Sequence, residues 1–596
     1  MRNEYPRPQF KRESFINLNG NWFFDFDDNN VGHKEKWFNK KVLSKNINVP
    51  FCYESKNSGI NITEPHIHMW YVRELPELII KENERTIIHF DGVDYYSEIF
   101  INGNKVGNHT GSSARFSIDI TDYLNENNNY LSVYCYDPLD EDILRGKQYW
   151  KKEPEAIWYN RTSGIYKSVW IEQVNECFIQ NVFFTPDIYK GTLTCDYVLS
   201  RKNQRVRTVI KNNSEIIFDE VSMMTKKEET RIYNVFKNEI MEGPSHNTKN
   251  LWSVDNPHLY SIEFYILNNN NEVLDYVESY FAMRNITKND QKVYLNNRLL
   301  YQKLVLMQGY YKDGLLSASS IEDYKKDIEL AKALGFNGGR VHQKVEDDYF
   351  YYLCDKMGFL VWCESASAAN YSKNVPHNMM MEWDEIIKQH YNFPSIIVWT
   401  PLNESWGINQ IANSEEQQQF TLSMYHYVKG LDSTRFVISN DGWEQMTTDL
   451  LTIHNYAHGD NKDYRRHEWY RKAISSREEI INATPADRKI LLVDNSKNEP
   501  IILSEYGGLA FVSNSSSGWG YTSVCNEEDY LNELRRIHKD INDSKTLVGY
   551  CYTQLYDVEQ EINGLLTYDR EPKVEIEKIR KINDSVKYVP CEEVNL

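Results

Sequence analysis

Three glutamates each follow an apolar run of the sequence. Glu364 follows FLVWC, Glu404 lies in TPLNESWG (400–407) just after SIIVW, and Glu505 follows PIILS. Two carboxylates on either side of a glycosidic bond are the minimum for its hydrolysis, because one donates a proton to the leaving oxygen while the other attacks the anomeric carbon or activates water. Glu404 and Glu505 are therefore a candidate catalytic pair.

Neighbouring residues could give the two carboxyl groups different pKa values. Asn403, an apolar floor and Trp406 would raise the pKa of one, while Arg340 would keep the other ionised. A simpler interpretation also exists for each residue. A single glutamate after a strand is more often a helix N-terminal residue favoured by the helix dipole, and Arg340 could merely tie strand ends together. His342, His454 and Trp519 could be core or rim side chains.

The elements that would position these residues begin near residue 285, where short apolar runs alternate with helical periods. In IEDYKKDIELAKALG, Ser319 and Glu322 could form a capping box and Gly335 could end the helix. One face of this helix carries Ile321, Tyr324, Ile328, Ala331 and Leu334. Candidate strands recur at 302–306, 337–342, 359–363, 395–399, 436–440, 451–454, 500–504 and 547–553.

Eight strands separated by helix-length segments predict a (β/α)₈ barrel, whose active site lies at the carboxyl ends of the strands. Glu404 then follows the fourth strand and Glu505 the seventh, so a closed barrel can bring them together. The alternative is an open doubly wound sheet, which would need a glycine-rich phosphate turn or a switch-point site. The sequence contains neither GxGxxG nor GxxxxGK[ST].

The first 280 or so residues have a β pattern. RTIIHFDGV (85–93), SEIFINGNKVG (97–107) and YLSVYCYD (130–137) are rich in β-branched and aromatic residues, and Asn102-Gly103 is a two-residue hairpin signal. A second set of strand-like runs follows SVWIEQV (168–174). This spacing predicts two β-sandwiches that meet near residue 174.

Composition limits the function classes. The formal net charge is −19, from 67 basic and 86 acidic residues, and no basic run is present, which disfavours nucleic-acid or anionic-membrane partners. The N-terminus lacks an apolar signal region and no stretch reaches about 18 apolar residues, so we expect a cytoplasmic protein. The nine cysteines are scattered without a CxxC pair, which argues against a structural zinc site or a disulfide scaffold.

Eight motifs occur in the order typical of one enzyme family, and along nearly its full length the chain resembles glycoside hydrolase family two, the β-galactosidase, β-glucuronidase and β-mannosidase group. They are LNGNW (18–22), MWYVREL (69–75), FDGVDYYSEIFINGNKVGNHTG (90–111), RTSGIYKSVWIE (161–172), LWSVDNPHLY (251–260), NFPSIIVWTPLNESWG (392–407), ILSEYGG (502–508) and NGLLTYDREPK (563–573). The resemblance implies a jelly-roll sugar-binding domain (1–174), an immunoglobulin-like β-sandwich (175–284) and a catalytic TIM barrel (285–596). It also suggests a homo-oligomer.

The same resemblance implies roles for individual residues in a reaction that retains the anomeric configuration. Glu404 would be the acid/base and Glu505 the nucleophile. Asn403 would bind the sugar 2-hydroxyl, Tyr456 would donate to the nucleophile, and Tyr552 would replace the tryptophan on which relatives stack the sugar. Further expected substrate contacts are Arg340, His342, Gln343, Glu364, Trp519 and Trp158, the last from the first domain. We expect no cofactor, and we assign no metal site because no His/Glu set of the larger relatives can be transferred.

Two departures from the family pattern bear on the sugar. Glucuronidases carry Asn-x-Lys-Gly before the last barrel segment, whereas this chain has Glu561-Ile562-Asn563-Gly564. Without the lysine, and with the acid Glu561 in this stretch, a glucuronate bound here would meet a like charge. After the second strand, Arg-x-x-His-Tyr-Pro is replaced by RVHQKV (340–345), which alters the sugar-facing wall.

The sequence therefore predicts a retaining exo-β-glycosidase of the β-galactosidase type that acts on oligosaccharides or glycosides. One alternative is a β-glucuronidase or β-galacturonidase that binds the sugar carboxylate differently, around Lys344. Another is a non-catalytic carbohydrate-binding protein on the same scaffold, although such a protein has no need for two carboxylates beside the anomeric centre.

Overall fold

The structure is a computed structural model that describes residues 2–79, 81–236, 250–460, 462–493, 498–512 and 518–586. Two β-sandwiches precede a barrel of parallel strands surrounded by helices. The predicted fold class, with jelly-roll, immunoglobulin-like and (β/α)₈ parts, is confirmed. Among the residues described, no helix combines the length and the apolar character needed to cross a bilayer.

The first sandwich packs a six-stranded sheet, in the order β4-β3-β5-β11-β8-β9, against a four-stranded sheet, β10-β6-β13-β2. Both sheets contribute to one buried core, which includes Phe24 and Val133 from the larger sheet and Ile88 and Ile171 from the smaller. The strands up to residue 175 are β1 (Phe10–Lys11), β2 (Ile16–Asn17), β3 (Gly20–Phe26), β4 (Lys45–Val49), β5 (His68–Glu74), β6 (Glu84–Phe90), β7 (Val93–Asp94), β8 (Tyr96–Ile101), β9 (Asn104–Thr110), β10 (Phe116–Asp119), β11 (Tyr130–Tyr136), β12 (Gly164–Ile165) and β13 (Val169–Asn175), of which β7 and β12 pair with each other outside the two sheets.

The predicted hairpin at Asn102-Gly103 is confirmed. These two residues join β8 to β9 and have φ values of 51° and 80°. Positive φ at both central positions is what a tight hairpin turn requires, and asparagine and glycine tolerate it best.

The second sandwich is formed by a five-stranded sheet, β1-β20-β19-β16-β17, and a three-stranded sheet, β14-β15-β18. Its first strand, β1, comes from the start of the chain and pairs with β20, so the N-terminal segment ties the two sandwiches together. The remaining strands are β14 (Ile179–Asp187), β15 (Thr192–Leu199), β16 (Gln204–Asn212), β17 (Glu215–Met224), β18 (Glu228–Asn234), β19 (Tyr260–Leu267) and β20 (Val273–Phe281).

The barrel contains eight parallel strands in the order β28-β27-β26-β25-β24-β33-β30-β29. Its two end strands are joined through Asp449, whose N–H donates to the Val437 carbonyl at 2.9 Å. The strands are β24 (Gln302–Met307), β25 (Gly338–Val341), β26 (Leu360–Glu364), β27 (Ile396–Thr400), β28 (Phe436–Val437), β29 (Leu451–His454), β30 (Ile501–Gly507) and β33 (Leu547–Thr553). Short strands β21 (Ile286–Asn289), β22 (Lys292–Leu295) and β23 (Arg298–Leu299) precede it, and β31 (Leu509–Phe511) pairs with β32 (Thr522–Val524).

All eight predicted barrel strands are present at the expected places in the chain. The fifth is shorter than predicted, since β28 covers two residues only. The barrel helices are α1 (Ile321–Ala333), α2 (Asp348–Met357), α3 (Val375–His390), α4 (Glu415–Leu431), α5 (Tyr464–Ala473), α6 (Arg477–Asn482), α7 (Glu527–Asp543) and α8 (Ile576–Ser585).

Helix α1 has the predicted apolar face but a different cap. Tyr324, Ile328 and Ala331 are buried, and Gly335, with φ of 95°, follows the helix end as expected. The predicted capping box of Ser319 and Glu322 is wrong. Ser320 is the N-cap residue, and its N–H donates to the Asp323 carboxylate at 2.9 Å. The box lies one residue later because the helix starts at Ile321.

The eight cysteines among the described residues are free thiols, and six of them are buried. Cys591 lies outside the described residues.

Candidate active site

Glu404 lies in a tight turn and not at the start of a helix. Strand β27 ends at Thr400, and α4 starts only at Glu415. The φ values of Glu404 and Ser405 are 51° and 57°, a region that side chains rarely adopt and that clusters at functional sites. The turn is held by Glu404 N–H, which donates to the Asp441 carbonyl at 2.9 Å. The helix-start interpretation of this residue is therefore wrong.

Glu505 lies in β30 at the carboxyl end of the barrel and is 4% exposed. The Arg340 Nη1 donates to its Oε1 at 2.8 Å, and the Tyr456 hydroxyl donates to its Oε2 at 2.6 Å. One oxygen therefore faces a guanidinium and the other a phenol, so the carboxylate is held in a single orientation.

The two candidate catalytic carboxylates face each other. One oxygen of Glu404 and one of Glu505 lie within 4.8 Å of each other. Retaining glycosidases place their carboxyl groups about 5–5.5 Å apart, whereas inverting enzymes leave roughly 6.5–9.5 Å for a water molecule. The 4.8 Å limit applies to one pair of oxygens, and it favours the closer, retaining arrangement.

Arg340 lies below the pocket and contacts three carboxylates, those of Glu505, Glu364 and Asp441. This fully buried guanidinium contacts Glu364, lies 2.9 Å from Asp441 and donates to the Asn403 Oδ1 at 2.6 Å. The amide nitrogen of Asn403 is buried and has no hydrogen-bond partner among the described residues, so it can donate to a ligand.

His454 bridges the two halves of the site. Burial alone would lower its pKa, but the charges of Glu505 and Asp441 raise it to about 10. The ring is therefore protonated at neutral pH, and its Nδ1 donates to Glu404 Oε1 at 2.8 Å. Burial would raise the Glu404 pKa, yet the His454 hydrogen bond lowers it. The expected upward shift from Asn403 and Trp406 does not occur at Glu404, because this hydrogen bond outweighs burial.

Glu364 contacts Arg340, and His342 and Gln343 in turn contact Glu364. Glu364 also accepts from the Gln343 N–H at 2.9 Å and lies 3.1 Å from the His342 Nδ1. Burial and the charge of Arg340 hold the pKa of His342 well below its usual range, so this ring is neutral. Both Glu364 oxygens are therefore engaged by protein groups.

Aromatic side chains form the opening of the site. Tyr456 stacks on Tyr521 with ring centroids 3.6 Å apart and planes 6° apart. Trp519 donates to the Ala156 carbonyl at 2.9 Å, and Trp158 packs edge-on against Trp406 at 4.8 Å. The first domain thus reaches the Glu404 turn through Trp158.

Tyr521 is a functional candidate that sequence reasoning missed. Tyr521 is 40% exposed and its ring stacks on that of Tyr456. The exposed part offers a surface on which a sugar can stack. The aromatic residues of GWGY (518–521) were the available signal.

The prediction that Tyr552 is a sugar platform is wrong. Its ring packs against Tyr506, and its hydroxyl interacts with Tyr530 of α7, so it faces the surrounding helices. Successive strand residues point to opposite faces. Its neighbour Thr553 therefore faces the pocket, where the Thr553 hydroxyl lies 2.8 Å from that of Tyr456.

The two departures from the family pattern have clear structural consequences. Glu561 is buried, accepting from the Tyr159 hydroxyl at 2.5 Å and from the Asn563 amide at 2.9 Å. Lys344 is also buried, and its ammonium donates to the carbonyls of Gly309 and Leu316 and to Glu346, at 2.7–2.9 Å. Lys344 therefore has no free donor for a sugar carboxylate.

Glu404, His454 and Glu505 are the residues whose spacing could also hold a cation, with ligand atoms within 4.8 Å of one another. His454 is protonated at neutral pH and Arg340 contacts Glu505, so positive charge is already supplied to this cluster. Metal binding would require His454 to lose its proton.

Models of three domains of one family match the chain. Glycosyl hydrolases family 2, sugar binding domain, matches residues 15–174; the central Glycosyl hydrolases family 2 domain matches 177–284; and the family 2 TIM barrel domain matches 286–588. The chain belongs to glycosyl hydrolases family 2.

Curated relatives carry two different activities in their names. A putative β-glucuronidase of Formosa agariphila is 26% identical over 433 residues, covering 69% of this chain and 48% of the relative. A β-galactosidase of Thermoanaerobacter pseudethanolicus is 23% identical over 539 residues, covering 85% and 67%. The chain thus spans about half to two thirds of the length of these relatives.

Solved structures share the complete fold. A β-glucuronidase from Ruminococcus gnavus in complex with D-glucuronic acid has a TM-score of 0.78 at 18% identity, with 98% of this chain and 99% of that chain covered. The β-glucuronidase of Bifidobacterium dentium in complex with coumarin-3-O-glucuronide has a TM-score of 0.78 at 16% identity, with 97% and 98% covered.

Proposed function

We propose that the protein is a retaining exo-β-glycosidase, of the β-galactosidase type, with Glu505 as nucleophile and Glu404 as acid/base. The separation of the two carboxylates, within 4.8 Å, carries this proposal. The domain division at residues 174 and 284 is part of the proposal, with the sugar site at the mouth of the third domain.

In the first step, the Glu505 carboxylate attacks the anomeric carbon and the glycosidic bond breaks. The proton shared by Glu404 and His454 moves to the leaving oxygen. Arg340 and Tyr456 orient Glu505 for attack, since each donates to one of its oxygens. The Asn403 amide, which lacks a protein partner, donates to the sugar 2-hydroxyl.

In the second step, Glu404 takes a proton from water, and the resulting hydroxide displaces Glu505 from the anomeric carbon. The sugar leaves with its original configuration, because two inversions have occurred. The proton taken by Glu404 restores the Glu404–His454 pair.

Two observations support a neutral sugar over a uronate. Lys344, the candidate cation for a uronate, is fully engaged by Gly309, Leu316 and Glu346. Glu561 stands where glucuronidases have the asparagine of their carboxylate motif, and a buried acid there disfavours a second carboxylate. Curated relatives named β-galactosidase cover most of the chain.

A panel of nitrophenyl β-glycosides tests the proposal. We expect turnover of the galactoside above the glucuronide and galacturonide, and a loss of roughly 10⁴-fold or more in Glu505→Ala, because the covalent step is removed. Turnover unaffected by this substitution would contradict the assignment of Glu505. Sugar binding without any turnover would indicate a carbohydrate-binding protein instead.

A further inference from the structure

Residues 145–160 of the first sandwich are fixed on the rim of the barrel. The Gly146 N–H donates to the Ser367 carbonyl at 3.0 Å, beyond the end of β26. Trp158 packs against Trp406, and Tyr159 donates to Glu561. This rim segment therefore contacts the loops that follow three different barrel strands, so its inward-pointing side chains lie at the carboxyl end of the barrel.

Lys147 is such a side chain. It lines one cleft with Trp158, Gln343 and Trp406, and another with His342 and Gln343. Its backbone carbonyl accepts from the Tyr159 N–H at 2.9 Å, which fixes the base of the side chain.

The Lys147 ammonium lacks a protein partner. The residue is 8% exposed, and within the part of the chain that the structure describes its ammonium makes no hydrogen bond and has no carboxylate oxygen within 4.0 Å. Such a position is typical of a group whose partner is a ligand.

Two acids lie within electrostatic reach of Lys147 yet beyond ion-pair distance. Burial raises the pKa of Glu561, and the Lys147 charge opposes this rise. The same charge adds to the larger effect of His454 in lowering the pKa of Glu404, which burial would raise. The ammonium and the carboxylate oxygens of each acid are therefore separated by a gap of more than 4.0 Å.

The charges around this gap favour a neutral sugar. Glu404 and Glu561 both lie within electrostatic reach of Lys147, so a uronate there would place a third carboxylate beside one lysine. A hydroxyl can instead accept from Lys147 and donate to Glu561.

We propose that Lys147, contributed by the N-terminal sandwich, is a substrate-binding residue that donates to a hydroxyl of the sugar and, opposite Glu561, selects a neutral sugar. This proposal rests on the proposed glycosidase function. It also means that the barrel alone has an incomplete sugar site.

The test compares Lys147→Met with Lys152→Met, which removes an exposed lysine of the same segment. Each is assayed on the best neutral nitrophenyl glycoside and on its monodeoxy analogues. A hydrogen bond to a charged group contributes about 1.5–3 kcal/mol, so we expect kcat/KM to fall about tenfold or more in Lys147→Met. For the analogue lacking the contacted hydroxyl, the difference from wild type should shrink to about threefold or less. Lys152→Met should match wild type.

An equal loss on every deoxy analogue, or no loss on the parent glycoside, would overturn the role of Lys147. A loss of kcat/KM in Lys147→Met that is confined to the glucuronide would overturn the proposed selection of a neutral sugar. Calorimetric binding of the free monosaccharide to wild type and to Lys147→Gln decides the role independently of turnover. Weaker binding to Lys147→Gln than to wild type supports the role of Lys147, whether or not wild type turns over a glycoside. Binding of this kind without any turnover would contradict the proposed glycosidase function but not the role of Lys147. Equal or absent binding without turnover contradicts both.

Discussion

Glu404 shares a proton with His454, a partner 50 positions away that the sequence pattern did not connect to it. An isolated glutamate in a buried site would have a raised pKa, and here the protonated histidine reverses that direction. The protein can still deliver a proton, because the Nδ1 of His454 lies 2.8 Å from the Glu404 carboxylate. We therefore propose that the acid is a pair of residues and not one carboxyl group.

Removal of Glu404 should affect substrates according to their leaving groups. In Glu404→Ala, we expect glycosides of poorly acidic alcohols to lose roughly 10²–10⁴-fold in kcat/KM, because proton donation contributes about that much. Dinitrophenyl glycosides should lose far less, since their leaving group needs little protonation. Steady-state kinetics across a leaving-group series measures the difference, and parallel losses on all substrates would contradict the role of Glu404.

At the scale of elements, the candidate site residues lie at the carboxyl ends of the barrel strands and in the turns that follow them, and the helices surround the barrel. Helix α1 shows how finely the helix start is set, because its capping acid is Asp323 and not Glu322. The apolar period identified the helix and its face. It could not show whether Glu322 or Asp323 is the capping acid, because that depends on whether Ser319 or Ser320 is the N-cap residue.

The two acids of this first turn make a matched pair. Asp323→Ala removes the acceptor of the Ser320 N–H and should destabilise the barrel by about 1 kcal/mol, or roughly 2 °C in Tm. Glu322→Ala removes only a surface ion pair to Lys325 at 3.7 Å and should cost less than half as much. Thermal unfolding of both variants measures this, and a larger loss in Glu322→Ala would refute the assigned cap.

At the scale of the whole molecule, the strand order was predictable and the contacts between domains were not. Eight apolar runs predicted the barrel because the hydrophobic period of a strand or a helix is visible within a short stretch of sequence. The same runs located Glu404, Glu505 and Arg340 at strand ends. Tyr552 was misassigned because an error of one position along a strand moves a side chain to the other face.

The remaining site residues depend on distant parts of the chain. Lys147 and Tyr159 reach the site from another domain, and Tyr159 meets Glu561 across 402 positions. The periodicity of either segment carries no information about this contact. Only the packing of the first sandwich on the barrel rim brings the two together.

The most direct test of the account is to trap the covalent intermediate. A 2-deoxy-2-fluoro-β-glycosyl fluoride forms the intermediate but slows its breakdown, because fluorine destabilises the positive charge of both transition states. Mass spectrometry of the digested protein should show one added glycosyl group on the peptide that contains Glu505, and Glu505→Gln should remain unlabelled. An active protein that forms no adduct, or an adduct on a different carboxylate, would contradict the assignment of Glu505 as the nucleophile.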